Sequence, residues 1–176
     1  MAKNLLGALS KRNREMGKIE KIISGGQTGV DRAALDVALE LGIPCGGWCP
    51  KGRRSEDGVI PERYPLKETS SSSYSARTEM NVKDSEGTLI LTWGAVTGGT
   101  ARTLEFTKKF KKPHLVVDLS KREEPDIVKE WGQQNSLRIL NVAGPRESKV
   151  PGIHDRAVEF LIRLLMEKKI RKGERF

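Results

Sequence analysis

Short apolar runs alternate along this chain with segments whose apolar residues recur every three or four positions. The runs predict strands, and the helical spacing predicts amphipathic helices. The clearest helix follows residues 25–29, and its apolar residues fall at the i, i+3, i+4 and i+7 positions of one buried face. They are Val30, Ala33, Ala34, Val37, Ala38 and Leu41. Gly42 predicts the end of this helix, because glycine readily takes the left-handed conformation found at many helix ends.

The same reasoning predicts alternating strands and helices over the rest of the chain. Strands are predicted at residues 19–23, 43–48, 88–93, 114–119 and 137–142. Helices are predicted at residues 30–41, 74–83, 102–110, 123–134 and 152–169. This alternation predicts an α/β fold, a Rossmann-like doubly wound parallel sheet flanked by helices in a single domain. The continuous apolar centre of the fourth strand predicts that this strand lies centrally in the sheet.

The charge distribution separates the predicted domain from two basic ends. The net charge is +9, of which residues 1–18 carry +4 and residues 167–176 carry +3. We therefore predict a basic N-terminal extension at residues 1–18, a Rossmann-like ligand-binding domain at 19–169 and a basic tail at 170–176. Met16 is an alternative start that the sequence leaves open. Because the domain itself is nearly neutral, nucleic-acid binding is the weakest functional class.

Hydropathy and cysteine usage exclude further classes. No stretch approaches the roughly 18 apolar residues that a membrane span requires, and the N-terminus lacks the apolar segment of a secretory signal. We therefore expect a cytoplasmic protein with no membrane partner. Cys45 and Cys49 are the only cysteines, and His114 and His154 are distant from them in sequence. Neither a disulfide framework nor a zinc site, which needs about four ligands, is expected.

Two glycine clusters each stand between a predicted strand and a predicted helix. They are Gly25, Gly26, Gln27, Thr28 and Gly29, and then Gly98, Gly99 and Thr100. A glycine-rich turn that opens a helix exposes backbone N–H groups and the positive end of the helix dipole, which bind phosphate and other oxyanions. Residues 144–148 follow the last strand, and we expect the strand before the second cluster to neighbour the first strand. All three turns should therefore meet at the carboxyl edge of the sheet, where such folds bind ligands.

Charged and amide side chains near these turns are candidate ligand contacts. Arginine suits bidentate binding of phosphate or carboxylate, and an acid in the first helical turn either orients a ligand hydroxyl or complements the dipole. Each residue also has a structural alternative as a solvated loop or helix-surface group. The candidates are Asp31, Lys51, Arg53, Arg77, Asn81 and Arg146.

The predicted site is a binding site without clear catalytic machinery. Trp48 and Trp93 lie near the same edge, where each either stacks on a flat ring or packs in the core. No Ser-His-Asp or Cys-His relation can be drawn from the spacing. An acid beside a bound ribose would instead favour a hydrolase, and Asp31, Glu79 and Glu105 are the candidates.

Three segments of the chain resemble the putative molybdenum carrier family. They are GGQTGVD at residues 25–31, GWCPKGR at 47–53 with EDG at 56–58, and NVAGPRES at 141–148. The resemblance covers about residues 19–166. The family is similar to the Rossmann-like SLOG proteins, which include the LOG, DprA and YpsA proteins and carry a glycine-rich phosphate loop.

The resemblance implies a carrier or storage protein for molybdenum cofactor, more a binding protein than an enzyme. That small anionic cofactor combines a pterin, a phosphate and an oxo-metal group, which suits two anion-binding turns and a stacking surface. The resemblance also implies a homo-oligomer, a dimer or tetramer, with molybdoenzymes as partners. The alternative is a nucleotide-binding sensor or a nucleotide N-glycosidic hydrolase of the LOG type, although residues 96–100 depart from the PGGxGT form of those enzymes.

Overall fold

Nine strands and five helices make up residues 18–166, the part of the chain that this computed structural model describes. The strands are β1 (Lys21–Ile23), β2 (Cys45–Gly46), β3 (Trp48–Cys49), β4 (Arg54–Ser55), β5 (Gly58–Val59), β6 (Lys67–Glu68), β7 (Gly87–Thr92), β8 (His114–Asp118) and β9 (Ile139–Ala143). The helices are α1 (Val30–Leu41), α2 (Tyr74–Asp84), α3 (Gly98–Lys109), α4 (Asp126–Gln134) and α5 (Ile153–Leu165). The basic tail, the start at Met16, residues 167–169 of the last predicted helix and nearly all of the basic extension lie outside the described residues.

Five strands form one parallel sheet in the order β2-β1-β9-β7-β8. Ile22 pairs in register with Leu140, and Leu89 pairs with Val142. Helix α1 packs against α5, and α2 packs against α3. The predicted α/β class, a parallel sheet flanked by helices, is confirmed.

The strand order corrects two predictions. Strand β8 lies at the edge of the sheet, where Val116 is 38% exposed, so its predicted central position is wrong. Val116 faces outward and is nevertheless apolar. A three-residue apolar run therefore does not distinguish an edge strand from a central one. Strand β7 does not neighbour β1, because β9 lies between them. Order along the chain does not give order in space when the last strand returns to the middle of the sheet.

The main hydrophobic cluster lies between one face of the sheet and helices α1 and α5. It contains Ile22, Leu89 and Leu91 from the strands and Ala34 and Leu161 from the helices. Because successive strand side chains point to opposite faces, the strand residues that alternate with these core residues lie on the opposite face of the sheet. That second face is more polar, and its Asn141 Nδ2 donates a hydrogen bond to Thr88 Oγ1 at 3.2 Å.

Residues 49–70 are a long polar stretch that the sequence predicts as a loop, but residues 48–68 form two small sheets. Strand β3 pairs with β6 in parallel, and β4 pairs with β5 as an antiparallel hairpin. A second buried cluster, formed by Leu35, Cys49, Ile60 and Tyr64, joins this segment to α1. Strands of two residues are too short for a periodic pattern, so β4, β5 and β6 are not predicted from the sequence. The single strand predicted at residues 43–48 divides into β2 and the start of β3, which belong to different sheets.

The two helices that follow glycine clusters start at different places relative to their glycines. Helix α1 begins just after the first cluster, as predicted, and ends at Gly42, which is left-handed at φ 68° and donates its N–H to the carbonyls of Ala38 and Leu39. Helix α3 begins at Gly98, four residues before the predicted start. The second cluster therefore forms the first turn of its helix rather than a loop before it.

Candidate functional site

The turns that follow β1 and β9 contact each other at the carboxyl edge of the sheet. The Val30 N–H donates to the Pro145 carbonyl at 3.2 Å, and the Glu147 N–H donates to Thr28 Oγ1 at 3.1 Å. A Cβ on Gly29 would lie only 2.9 Å from the backbone nitrogen of Glu147. Because β1 and β9 are neighbours, these two turns pack directly on one another.

The third turn, at the start of α3, reaches the same edge through a lysine. A Cβ on Gly98 would lie 2.5 Å from the Nζ of Lys149, whereas a Cβ on Gly99 would have no neighbour within 4 Å. Both glycines are exposed, and Thr100 is buried. No side chain caps α3, so the N–H groups of its first turn lack a side-chain acceptor. Lys149 is not predicted from the sequence, because only the position of β9 brings it to this turn.

Backbone groups of the first turn are partly used within the protein. The Gln27 N–H donates to Asp31 Oδ2 at 3.3 Å, and the Thr28 N–H donates to Gln27 Oε1 at 3.0 Å. Gly26 has φ 76°, and a Cβ there would lie 2.5 Å from Leu66 Cδ1. The inner side of this turn therefore packs on the protein, and a substitution at Gly26 would disturb the fold as well as any ligand.

Asp31 and Arg77 form a buried ion pair beneath the first turn. Asp31 is 3% exposed, and its Oδ2 accepts a hydrogen bond from Arg77 Nη1 at 2.9 Å. Burial raises the pKa of Asp31, although the charge of Arg77 opposes that shift. The guanidinium occupies the space beside Gly25, where a Cβ would lie 2.7 Å from Arg77 Cζ. Gly25 is needed here because any side chain would displace this arginine.

Arg77 also carries an unsatisfied donor. Its Nε is buried and has no hydrogen-bond partner within the described part of the chain. Buried donors normally find partners. Arg77 Nε is therefore an unsatisfied hydrogen-bond donor beneath the first turn.

Arg53 holds the loop of residues 53–66 together and is not free to meet a ligand. Its guanidinium donates four hydrogen bonds to backbone carbonyls, at distances between 2.8 and 3.3 Å. The acceptors are Ile60, Pro61, Tyr64 and Leu66. These four carbonyls surround the guanidinium. Arg53 itself has a left-handed backbone conformation with φ 52°.

Asn81 on α2 and Trp48 on β3 hydrogen-bond to each other. The amide of buried Asn81 accepts from the Trp48 N–H at 2.7 Å and donates to the Trp48 carbonyl at 3.0 Å. The indole Nε1 donates to Asp84 Oδ2 at 2.7 Å and lines an open groove of about 240 Å³. Lys51 is exposed on its loop. Trp93 instead follows β7 at the turn edge, with the Arg156 guanidinium 4.0 Å from its ring centroid.

A carboxylate that the sequence does not single out as a site residue, Glu56, joins the turns after β1 and β9. Glu56 Oε1 accepts from Thr28 Oγ1 and, at 3.1 Å, from the Ser148 N–H. Its Oε2 accepts from Ser148 Oγ and lies 3.5 Å from Arg146 Nε. Burial by itself raises the pKa of Glu56, but the hydrogen bonds from Ser148 and Thr28 and the charge of Arg146 lower it overall. Glu56 is thus held as an anion between the turns.

The β4–β5 hairpin that carries Glu56 is fixed to α1 by a separate ion pair. Arg32 donates to both carboxylate oxygens of Asp57, with Nη2 at 2.7 Å from Oδ1. The hydrogen bond from Arg32 outweighs desolvation and lowers the pKa of Asp57 to about 2. The Gln27 side chain adds a further link, because its Oε1 accepts from the Glu56 N–H at 3.0 Å.

The other acids proposed from the sequence lie on helix surfaces. Glu79 pairs with Lys83 and Lys109 at 3.6 and 3.7 Å, and Glu105 pairs with Arg102 at 3.5 Å. No hydrogen bond or ion pair links either acid to the glycine turns within residues 18–166. Of the three candidate acids, Asp31 alone lies at a turn.

A histidine cluster links α5 to α1 outside the glycine turns. His154 Nε2 lies 2.8 Å from Asp36 Oδ2, and its Nδ1 lies 3.0 Å from Asp155 Oδ1. Tyr64 donates to Asp36 at 2.6 Å, and Arg63 donates to the Tyr64 hydroxyl at 2.6 Å. The imidazole therefore lies between two carboxylates.

This cluster should make stability depend on pH. Desolvation lowers the pKa of His154, but the hydrogen bonds and charges of Asp155 and Asp36 raise it overall. A raised folded-state pKa gives stability that is complete below the unfolded value of about 6.5 and is lost as pH rises through the folded value. His154→Asn should therefore lower the thermal midpoint more at about pH 5.5 than at about pH 8.5. Thermal unfolding with His114→Asn as the control checks this, and an equal loss at both pH values would contradict it.

Residues 18–166 contain neither a metal-binding cluster nor a membrane-spanning helix. Among residues 18–166, no group of three or more His, Cys, Asp and Glu side chains could hold a metal ion. Cys45 and Cys49 are free thiols, and burial raises the pKa of both. Within the same residues, no helix combines the length and apolar character needed to cross a membrane.

The chain is similar to known proteins over most of its length. The model of the circularly permutated YpsA SLOG family matches residues 22–165. A solved structure of a putative molybdenum carrier protein from Syntrophus aciditrophicus SB is similar, with 47% sequence identity and a TM-score of 0.83. The similarity covers 85% of this chain and 97% of that one. No curated protein matches the chain.

Proposed function

Since the chain belongs to the circularly permutated YpsA SLOG family, we propose that it binds an anionic, phosphate-bearing cofactor and carries or stores molybdenum cofactor. The observation that carries the proposal is the meeting of two helix-opening turns and the turn after β9 at one sheet edge. The name of the relative from Syntrophus aciditrophicus supports the choice of cofactor.

The chemistry of this edge suits an anionic ligand. The first turn of α3 offers N–H groups without a side-chain cap, and the open space at Gly99 allows a phosphate to approach the backbone. Lys149 and the half-exposed Arg146 add positive charge on the facing loop. Trp93 is partly exposed at this edge with Arg156 over one face of its ring, and its other face is the one proposed to stack on a flat pterin ring.

We assign different roles to the residues that the sequence singled out. Direct ligand contacts are proposed for Thr28, Arg146, Gly98, Gly99 and Thr100, with Lys149 added. A supporting role is proposed for Gly25, Gly26, Gln27, Gly29, Asp31, Arg53, Arg77 and Asn81, whose groups hold the turns and the loop beside them. Lys51 stays a candidate only for a ligand that extends onto its loop.

The alternative function is a nucleotide-binding sensor or an N-glycosidic hydrolase of the LOG type. The observation that favours it is the acid–arginine pair of Asp31 and Arg77 beneath the first turn. A carboxyl group whose pKa is raised can act as a general acid. This reading requires a nucleotide to reach a carboxylate that is now buried.

Nucleotide turnover separates the two functions. With the carrier function, incubation with several nucleoside monophosphates should release no free base in a chromatographic assay, while an anionic cofactor binds in calorimetric titration. Steady release of base that Asp31→Asn removes while this variant stays folded by circular dichroism, and that Glu79→Gln and Glu105→Gln leave intact, would establish the hydrolase and contradict the carrier function.

The family resemblance also suggests how the protein works in the cell. We propose a cytoplasmic homo-oligomer, a dimer or tetramer, that passes its cofactor to molybdoenzymes. Light scattering of the purified chain would determine the oligomeric state, and a monomer at working concentration would contradict this part.

A further inference from the structure

The carboxylate of Glu56 occupies a position that is built for an anion. Its side chain is 17% exposed and meets donors from both neighbouring turns. These donors are the Thr28 hydroxyl, the Ser148 N–H and hydroxyl, and the Arg146 guanidinium. We call this set of three residues the Glu56 cradle. It offers hydroxyl, amide and guanidinium donors within the span of one carboxylate, which is the donor set that proteins present to phosphate.

The position of the hairpin does not depend on this carboxylate. Arg32 already holds Asp57 through both carboxylate oxygens, and the Glu56 N–H is held by Gln27 Oε1. The hairpin is therefore attached to α1 and to the first turn by neighbouring groups. A rotation of the Glu56 side chain out of the cradle would therefore leave these contacts of its backbone and of Asp57 in place.

The cradle also lies where the proposed ligand would place its charge. Thr28 belongs to the first glycine turn and Ser148 to the turn after β9. Lys149, the next residue, reaches toward the third turn at Gly98. An anion in the cradle would thus contact the turns after β1 and β9 directly. It would lie on the side that faces the third turn, at Gly98.

We propose that Thr28, Arg146 and Ser148 form a tetrahedral-oxyanion subsite that Glu56 fills in the absence of ligand and vacates when a phosphate group binds. The location rests on the proposed function, and the ligand class is a phosphate ester or a free oxyanion of the same shape. The Glu56 carboxylate then acts as an internal competitor. If it holds the cradle about nine-tenths of the time, it weakens the apparent affinity for the anion about tenfold.

Removal of the competitor tests the proposal. We expect Glu56→Ala to bind orthophosphate at least about tenfold more tightly than the unmodified chain, measured by calorimetric titration at constant ionic strength. Glu56→Gln, which keeps the shape and loses the charge, should change the affinity in the same direction. Glu62→Ala, at an exposed acid of the same segment, should leave the affinity unchanged. Adding Ser148→Ala to Glu56→Ala should remove the gain.

The opposite outcome is equally clear. If both Glu56 variants remain folded by circular dichroism and bind orthophosphate no more tightly, Glu56 is a structural clamp and the proposal is wrong. Weaker binding would make Glu56 a ligand contact and would overturn it as well. Parallel titrations with molybdate and with a phosphate monoester show whether the subsite takes the metal oxyanion or the ester. Orthophosphate needs no particular cofactor, so a gain in affinity would stand even if molybdenum cofactor failed to bind.

Discussion

Replacing Asp31 with alanine should lower the free energy of unfolding by about 3–5 kcal/mol, because the Arg77 guanidinium would stay buried without its counter-charge. Both side chains are largely buried and their charged atoms lie 2.9 Å apart. The Gln27 N–H would lose its acceptor as well. Urea denaturation measures the loss through the midpoint and slope of the transition.

Two variants make this result specific to the buried pair. Asp126→Ala removes an exposed acid 3.8 Å from Lys129, and it should cost no more than about 1 kcal/mol. Combining Asp31→Leu with Arg77→Met should recover part of the loss, since replacing both members of a buried pair by apolar groups is often neutral. A loss for Asp31→Ala as small as that for Asp126→Ala would contradict the account of the pair.

Replacing Gly29 with alanine should cost about 3 kcal/mol or more, since the clash and the backbone strain act together. Gly29 has φ 79° and ψ −129°, a region that side chains other than glycine rarely enter. Its Cβ would lie 2.9 Å from backbone atoms of Arg146 and Glu147, and closer still to the Pro145 carbonyl. The two turns would have to separate, so phosphate binding should weaken in the same variant.

Two other glycines separate the strain from the clash. Gly52 has a similar φ of 80° but nothing within 4 Å of its Cβ, so Gly52→Ala should cost only about 1–2 kcal/mol. Gly132 lies within α4 and also has an open Cβ position, and alanine there should add about 0.5–1 kcal/mol of stability. If Gly29→Ala cost no more than Gly52→Ala, the close packing of the two turns would be wrong.

The sequence was informative where the governing interactions are local. The apolar spacing of α1 and its end at Gly42 follow from contacts within one helix, and the structure matches both. The α/β class followed from the alternation of elements in the same way. The position of β9 between β1 and β7 depends on pairing between distant segments, which no local pattern records.

The roles of single site residues were harder to predict for a related reason. Arginine can grip a ligand or a set of carbonyls, and the sequence does not contain the backbone carbonyls that surround Arg53. The sequence predicts Asn81 as a ligand contact, yet its partner is the backbone of Trp48. Glu56 received no separate role because its partners Thr28 and Ser148 lie 28 and 92 positions away. Only the fold brings these groups together.

The central claim is that the edge formed by the three turns binds an anionic cofactor, and native mass spectrometry of the protein purified from its own host tests it most directly. We expect a bound molecule that carries phosphate and the isotope pattern of molybdenum. It should be absent from a variant that combines Thr28→Ala with Arg146→Ala and retained by the control Glu62→Ala. A protein that carries no small molecule, or a bound molecule that the combined variant retains in full, would contradict the account.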